Sequence, residues 1–241
     1  MFRYLIYMTI LATALFGEGG APMMTDGTGT PSDGKWELNV GLKLEDTQGD
    51  KRYEAPILDL NYGLGDRIQL KIESTYISLD NDESSERGIG NAKVGAKWRF
   101  YENDTFALSI YPQYTFAPVR KNIEKSLADV DEAWFLPLEM SKQFGSIGVT
   151  AEVGYLILSH DQDWIKSGIV AGYQSTEALE FLVELYRSAK SKGEEESIFL
   201  NTGLTYVFTP NVNALFSIGK EIKSPSSTNK ELMFIGLQFL F

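Results

Sequence analysis

From Trp36 to the end of the chain, apolar and polar residues alternate with a period of two, and the pattern returns in twelve separate segments. Successive side chains of a β-strand point to opposite faces, so each segment carries one apolar and one polar face. In the first, Trp36, Leu38, Val40, Leu42 and Leu44 alternate with Glu37, Asn39, Gly41 and Lys43. In the fourth, Ala92, Val94, Ala96, Trp98 and Phe100 enclose Lys93, Gly95, Lys97 and Arg99. The last ends on the apolar row Met233, Ile235, Leu237, Phe239 and Phe241. The eighth, around Ile169, Ala171 and Tyr173, is the weakest.

The links between segments alternate in length. Tight ones lie at Leu64–Arg67, Tyr101–Asp104, Phe144–Ser146, Ser175–Ala178 and Thr209–Asn211. Mostly longer, polar ones lie at Glu45–Glu54, Asp80–Asn91, Ala117–Ala133, Ser159–Asp163, Lys190–Glu196 and Lys223–Lys230. Short turns at one end and long loops at the other are the plan of an all-β fold, a transmembrane antiparallel up-and-down β-barrel of about 12 strands. Period two does not say which face is inside, and a soluble barrel or sandwich has the same alternation. Three features choose the membrane. Whole charges and glycines recur along the polar face, as a wet lumen requires. Aromatic residues gather near strand ends on the apolar face (Trp36, Tyr62, Trp98, Phe100, Phe106, Phe116, Trp134, Tyr155, Phe208), where interfacial girdles sit. The chain also finishes on Phe241, which resembles the terminal signal read by barrel-assembly machinery. Pro112 and Pro137 fall inside strands, where a missing N–H breaks a ladder bond, so each predicts a local irregularity.

Ahead of the barrel, Met1-Phe2-Arg3, an apolar run to Phe16 and then small residues have the layout of a secretory signal peptide. Residues 1–20 are assigned to it, with cleavage after Ala14 or near Gly20 both open. Residues 21–35, rich in Gly, Thr, Pro and Asp without apolar period, read as a flexible N-terminal tail, and residues 36–241 as the barrel. The expected location is the bacterial outer membrane, with its lipid and lipopolysaccharide and the assembly machinery as partners.

Charge and composition remove several chemistries. A net charge of −11 argues against nucleic acid as a partner. With no cysteine and one histidine, disulfides, thiol catalysis and multi-histidine metal sites are excluded, so no cofactor and no metal is expected. His160, in Ser159-His160-Asp161, is the one base available to a Ser–His hydrolase and reads as an ordinary loop histidine. Asp80, Asp82, Glu83 and Glu86 crowd one external loop in no coordination spacing and read as a solvated face.

The stretch Gly88-Ile89-Gly90-Asn91-Ala92-Lys93-Val94-Gly95-Ala96-Lys97-Trp98-Arg99-Phe100 resembles the Gly-rich turn and following strand of the outer-membrane family labelled MetA-pathway of phenol degradation. The likeness extends over most of Trp36–Phe241, although Thr115-Phe116-Ala117-Pro118 departs from that family's turn after the fifth strand. It implies an uptake channel for small aromatic or hydrophobic compounds, with no catalytic residues.

The lumen is the candidate site. Lys93, Lys97 and Arg99 put three cations on one strand, and Glu139, Glu152, Glu180 and Glu184 supply anions on others, with Lys43, Lys71, Glu73 and Lys166 among them. Twelve strands at ~4.8 Å spacing and ~40° tilt close into a cylinder about 24 Å across, narrow enough for these residues to form a constriction. Two outcomes stand open: a pore lined by charges, or charges that pair and fill it. The Ala117–Ala133 loop, with Ile123, Leu127 and Val130 at helical spacing, is either a short amphipathic helix over the mouth or a mobile surface loop. The sequence thus points to a non-enzymatic pore for small solutes of unknown identity. A closed structural or adhesion barrel and, behind it, a lipid-modifying enzyme are the alternatives.

Removing Phe241 deletes the last residue of the strand that must close the barrel, so less protein is expected to reach the outer membrane. Normal yield with normal heat-modifiable gel migration would count against that role.

Overall fold

A computed structural model describes residues 21–80, 85–225 and 230–241. The proposed leader, residues 1–20, and Asp82 and Glu83 lie outside the described residues. The strands are β1 (Trp36–Thr47), β2 (Asp50–Leu64), β3 (Ile68–Asp80), β4 (Ser85–Glu102), β5 (Phe106–Ile110), β6 (Gln113–Phe116), β7 (Ala133–Phe144), β8 (Ile147–Leu158), β9 (Trp164–Thr176), β10 (Leu179–Lys190), β11 (Glu196–Thr209), β12 (Val212–Lys223) and β13 (Lys230–Leu240).

Strands consecutive in sequence pair antiparallel, β5 with β6 excepted, and β13 returns to β1 in unbroken register from Glu37↔Leu240 to Thr47↔Lys230. Phe241 completes this seam: the Trp36 N–H donates to its carbonyl at 2.7 Å, and its own N–H donates to Trp36 O at 3.0 Å. β5 and β6 are the two halves of a single wall strand. β4 pairs with β5 at Trp98↔Ile110 and with β6 at Gly95↔Gln113, and β7 pairs with both. The wall is therefore a closed barrel of twelve staves. No helix among the described residues is long and apolar enough to cross a membrane; the strands do the crossing.

The two expected irregularities coincide in space. The wall strand breaks at Tyr111-Pro112, opposite Pro137 on β7, and only there does the β5/β6–β7 seam lose its ladder. Two bonds still span the break, Ala96 N–H to Pro112 O at 3.1 Å and Tyr111 N–H to Pro137 O at 3.2 Å. On its other side Pro137 sits in regular pairing opposite Gly154, so its effect is one-sided. A proline in a strand needs one partner that does not require its N–H, and the break supplies it.

The external hairpin β1–β2 differs from the sequence expectation. Glu45–Glu54 read as a loop because it is charged, yet the strands run on to a two-residue turn, Gln48 (φ 57°) and Gly49 (φ 103°). Positive φ at both positions matches the right-handed twist of a hairpin. Opposite charges face each other above the apolar belt, Glu45↔Arg52 and Asp46↔Lys51, which makes a solvated extension of the sheet stable.

Exposure decides which face is outside. Trp98 (51%), Phe181 (46%) and Ile235 (54%) are open, whereas Lys97 (3%), Glu139 (0%) and Glu184 (0%) are enclosed. Aromatic side chains group at the two ends of the apolar belt. Trp36–Tyr62 (4.6 Å) and Tyr206–Phe208 (5.0 Å) lie at the short-turn end, Tyr114–Trp134 (4.9 Å) at the loop end. This inversion of a soluble protein is what a lipid solvent demands. Leu237→Arg puts a charge in the middle of the belt, and a loss of about 2–4 kcal/mol is expected at the bilayer midplane. Refolding titrations in lipid vesicles measure it, and unchanged stability would mean that this face does not meet lipid.

Candidate functional site

The lumen is occupied by the segment read from sequence as a flexible tail. Residues 21–34 do not hang free but run inside the barrel from the short-turn end of β1. At the entry, Gly34 N–H donates to Gly63 O (3.0 Å), Gly65 N–H to Asp33 Oδ1 (2.7 Å) and Thr30 Oγ1 to Asp66 O (3.2 Å). Higher up, the Lys97 ammonium donates to Gly27 O, Gln113 Nε2 to Asp26 Oδ2 (3.2 Å), and Thr28 N–H to Ser141 Oγ (3.4 Å). On the opposite wall Glu184 accepts the N–H groups of Met24 (3.1 Å) and Thr25 (2.6 Å), and Ser217 Oγ donates to Pro22 O (2.7 Å). Met23 packs with Val170 and Leu182 in a small buried apolar cluster.

The wall is shaped for this segment. A Cβ on Gly63 would fall 2.2 Å from Ser32 O, one on Gly168 1.9 Å from Thr25 Oγ1, and one on Gly203 2.4 Å from Met23 Cε. Glycine is needed at Gly63 and Gly168 because the backbone of one element approaches the backbone or a short side chain of another, whereas Met23 Cε is the end of a flexible side chain. A segment of small polar residues has no apolar period, which is why it reads as a tail. In a lumen lined with hydrogen-bonding groups, that composition is what fits.

Lys97, Glu139 and Glu152 come together at mid-height with Asp26 of the segment. Lys97 Nζ lies 3.3 Å from Glu139 Oε2, which also accepts Ser109 Oγ (2.5 Å), and 4.4 Å from the centre of the Tyr111 ring. Glu139 and Glu152 are direct cross-strand partners on β7 and β8. The other candidates stand apart. Lys93 pairs with Glu73 (3.3 Å), which Lys71 also holds (2.9 Å) while reaching Asp59 (3.2 Å). Arg99 sits low, donating to Asp66 O and ion-paired with Glu102 (3.2 Å). Glu180 reaches across Gly172 on β9. Glu184 belongs to the inserted segment and to Asn201, whose Nδ2 donates to it at 2.5 Å. Lys43 pairs with Glu54 (2.7 Å) and Lys166 lies over the Phe135 ring. Of the two outcomes left open, the pairing of charges is therefore the one observed for most of these cations. Thr25, Thr28, Tyr111 and Glu139 are all fully buried at this height.

Asp26, Asp59 and Tyr111 were not singled out from sequence. Tyr111 gave no signal, because its inward turn follows from the break at Pro112. The Glu139↔Glu152 pairing was accessible in principle: a tight turn at Gly145-Ser146 fixes the hairpin register and puts these two residues opposite each other.

At the loop end, Ala117–Ala133 folds inward past β4 and β3. Arg52 Nη1 donates to Ser126 O (3.3 Å), Lys125 pairs with Glu86 (2.5 Å) and Asn122 Nδ2 donates to Ile89 O (2.8 Å). It holds one 3-10 turn, Arg120–Asn122, and no longer helix, because Ser126 takes a left-handed φ of 58°. Leu127 is buried and Val130 is exposed, so the helical spacing does not define one face. At the neighbouring loop, Ser159 Oγ (2.8 Å) and Asp131 Oδ1 (3.2 Å) both meet the same nitrogen of His160, Nδ1. A hydrolytic triad needs its serine and its acid on different ring nitrogens, so this trio is not arranged as one.

No family model matches the chain, and no curated protein matches it in sequence. The fold does have close solved counterparts. The chain is similar to the COG4313 outer membrane channel from Pseudomonas putida F1, with a TM-score of 0.74 at 13% identity, over 89% of this chain and 98% of that one. It is also similar to the NanC porin (TM-score 0.64, 10% identity, 84% and 98% covered) and the KdgM porin (0.59, 12%, 83% and 98%). The chain thus has the fold of an outer-membrane channel barrel.

Gly168→Val keeps a good strand residue in the wall but removes the room for Thr25. Overpacking of this kind costs about 1–3 kcal/mol, or about ten- to hundredfold in the population of a displaced segment. Because the chain has no native cysteine, a single Thr28→Cys reports on this through its rate of maleimide labelling. Faster labelling in the Gly168→Val background is expected, and an unchanged rate would mean that the glycine does not seat the segment.

Proposed function

We propose that the protein is an outer-membrane pore for passive uptake of small solutes, opened by movement of residues 21–34 within the lumen. The observation that carries this reading is a closed, polar-lined barrel blocked by a segment joined to the wall through hydrogen bonds and few apolar contacts. A wall built only for anchorage has no need of charged groups at mid-membrane, where unpaired charge is costly. The fold shared with a channel and two porins supports the same reading, as it supports a non-enzymatic role. Small aromatic or hydrophobic solutes are the proposed class. This rests on the resemblance of Gly88–Phe100 to the phenol-degradation family label.

Planar-bilayer recordings of the refolded chain, beside a variant lacking residues 22–33, test the proposal. Small or intermittent conductance is expected of the parent, and conductance several-fold larger of the variant, with folding of both checked by heat-modifiable migration. Silence from both folded proteins would assign the barrel to the closed structural class. Equal conductance would deny the segment its role.

A further inference from the structure

Asp26, Glu139 and Glu152 bring one carboxylate oxygen each within 4.8 Å of one another, in the middle of the lumen. Two of these residues are directly opposite on paired strands, an arrangement that like charges disfavour. Glu139 is 0% and Glu152 4% exposed. Among the described residues, Glu139 Oε1 has no hydrogen-bond partner, and the Glu152 carboxylate meets no side-chain donor, the donor beside it being the backbone N–H of Asp26. Unpartnered buried carboxylate oxygens are rare because each forfeits its hydration. The cation that touches the group is Lys97, and it is directed to Glu139 Oε2 and Gly27 O, away from the other carboxylate oxygens. With all three carboxylates ionised and Lys97 charged, the cluster carries two negative charges in excess, and a cation is what would hold buried carboxylates in that form.

We infer that these three carboxylates form a divalent-cation site that fastens the inserted segment to the wall. One divalent ion restores neutrality, gives Glu139 Oε1 the partner it lacks and gives Glu152 a cationic one. The donor set is wholly carboxylate, with no imidazole or thiolate, so it suits a hard cation, Ca²⁺ or Mg²⁺, completed by water. Asp26 comes from the segment and the two glutamates from β7 and β8, so the ion links plug and barrel. This goes beyond the proposed pore and does not depend on conduction: a barrel that never opens would still bind the ion.

Isothermal titration of the full chain, refolded in detergent, stripped with EDTA and dialysed, tests this with CaCl₂ and MgCl₂ separately. One ion per chain is expected. Glu152→Gln and Asp26→Asn should each weaken binding about tenfold or more, since ligand charge sets affinity at such sites. Glu86→Gln, at the external end of β4 and away from the cluster, should leave it unchanged. Glutamine at 152 relieves repulsion without changing shape, so the variant is expected to fold, as heat-modifiable migration will verify. Maleimide labelling of Thr28→Cys adds an independent readout: the ion should slow it in the parent background and not in Glu152→Gln. A folded parent that binds neither ion, or binding that Glu152→Gln leaves intact, would overturn the site.

Discussion

Closure of β13 onto β1 is the constraint from which the rest of this structure follows. In a bilayer no water is available to an unpaired backbone N–H or C=O, so a sheet can cross only if it has no edge. The seam from Trp36↔Phe241 to Thr47↔Lys230 removes the last edge. Once the sheet is closed, alternate side chains must point into an enclosed space. The outer face is then fixed as apolar by lipid, and the inner face must be made compatible with itself.

That second requirement explains the interior. Charges there are affordable only with partners, and the wall supplies them in short chains such as Lys93–Glu73–Lys71–Asp59 and Lys97–Glu139. Neighbouring amides extend these chains, since Asn61 Nδ2 donates to Asp59 (3.2 Å) and Gln69 Nε2 donates to Asn61 Oδ1 (2.7 Å) and to Tyr111 Oη (3.2 Å). Side chains alone do not fill the cylinder. A peptide segment does so well because every residue brings a donor and an acceptor. Glu184 uses that fact directly by holding two consecutive N–H groups of the segment.

The barrel was legible in the sequence because its cause is local: period two, turn glycines such as Gly65 and Gly145 (φ 63° and 65°), and the alternation of link lengths all act within a few residues. Where the structure departs from that reading, the cause is nonlocal or ambiguous. The extension of β1 and β2 beyond the membrane is charged like a loop, and only cross-strand pairing tells the two apart. The inserted segment has the composition of a disordered tail, and what orders it lies on strands more than a hundred residues away, at Ser141, Glu184 and Ser217. Lys97, Arg99, Glu139, Glu152 and Glu184 are buried, but the candidate residues do not form one group. Lys93, Lys97 and Arg99 look like one row on β4, yet each answers to a different partner at a different height.

The same nonlocality bears on how such a plug works. Each residue fixed in the lumen costs about 1–2 kcal/mol of backbone freedom. Each hydrogen bond it forms returns only about 0.5–1.5 kcal/mol net. The apolar contribution is small, centred on Met23 against Val170 and Leu182. Docked and displaced states are therefore separated by a small difference between opposing terms, unlike the wall, where continuous ladders and lipid-facing side chains act together. An interaction of moderate strength at one place then has leverage over the whole segment. The acidic cluster at Asp26, Glu139 and Glu152 is such a place: repulsion there drives the segment away from the wall, and neutralisation of the same oxygens draws it back. A polar plug in a charged lumen is thus a structure whose occupancy is set by electrostatics at a few positions, while the barrel that holds it is indifferent to them.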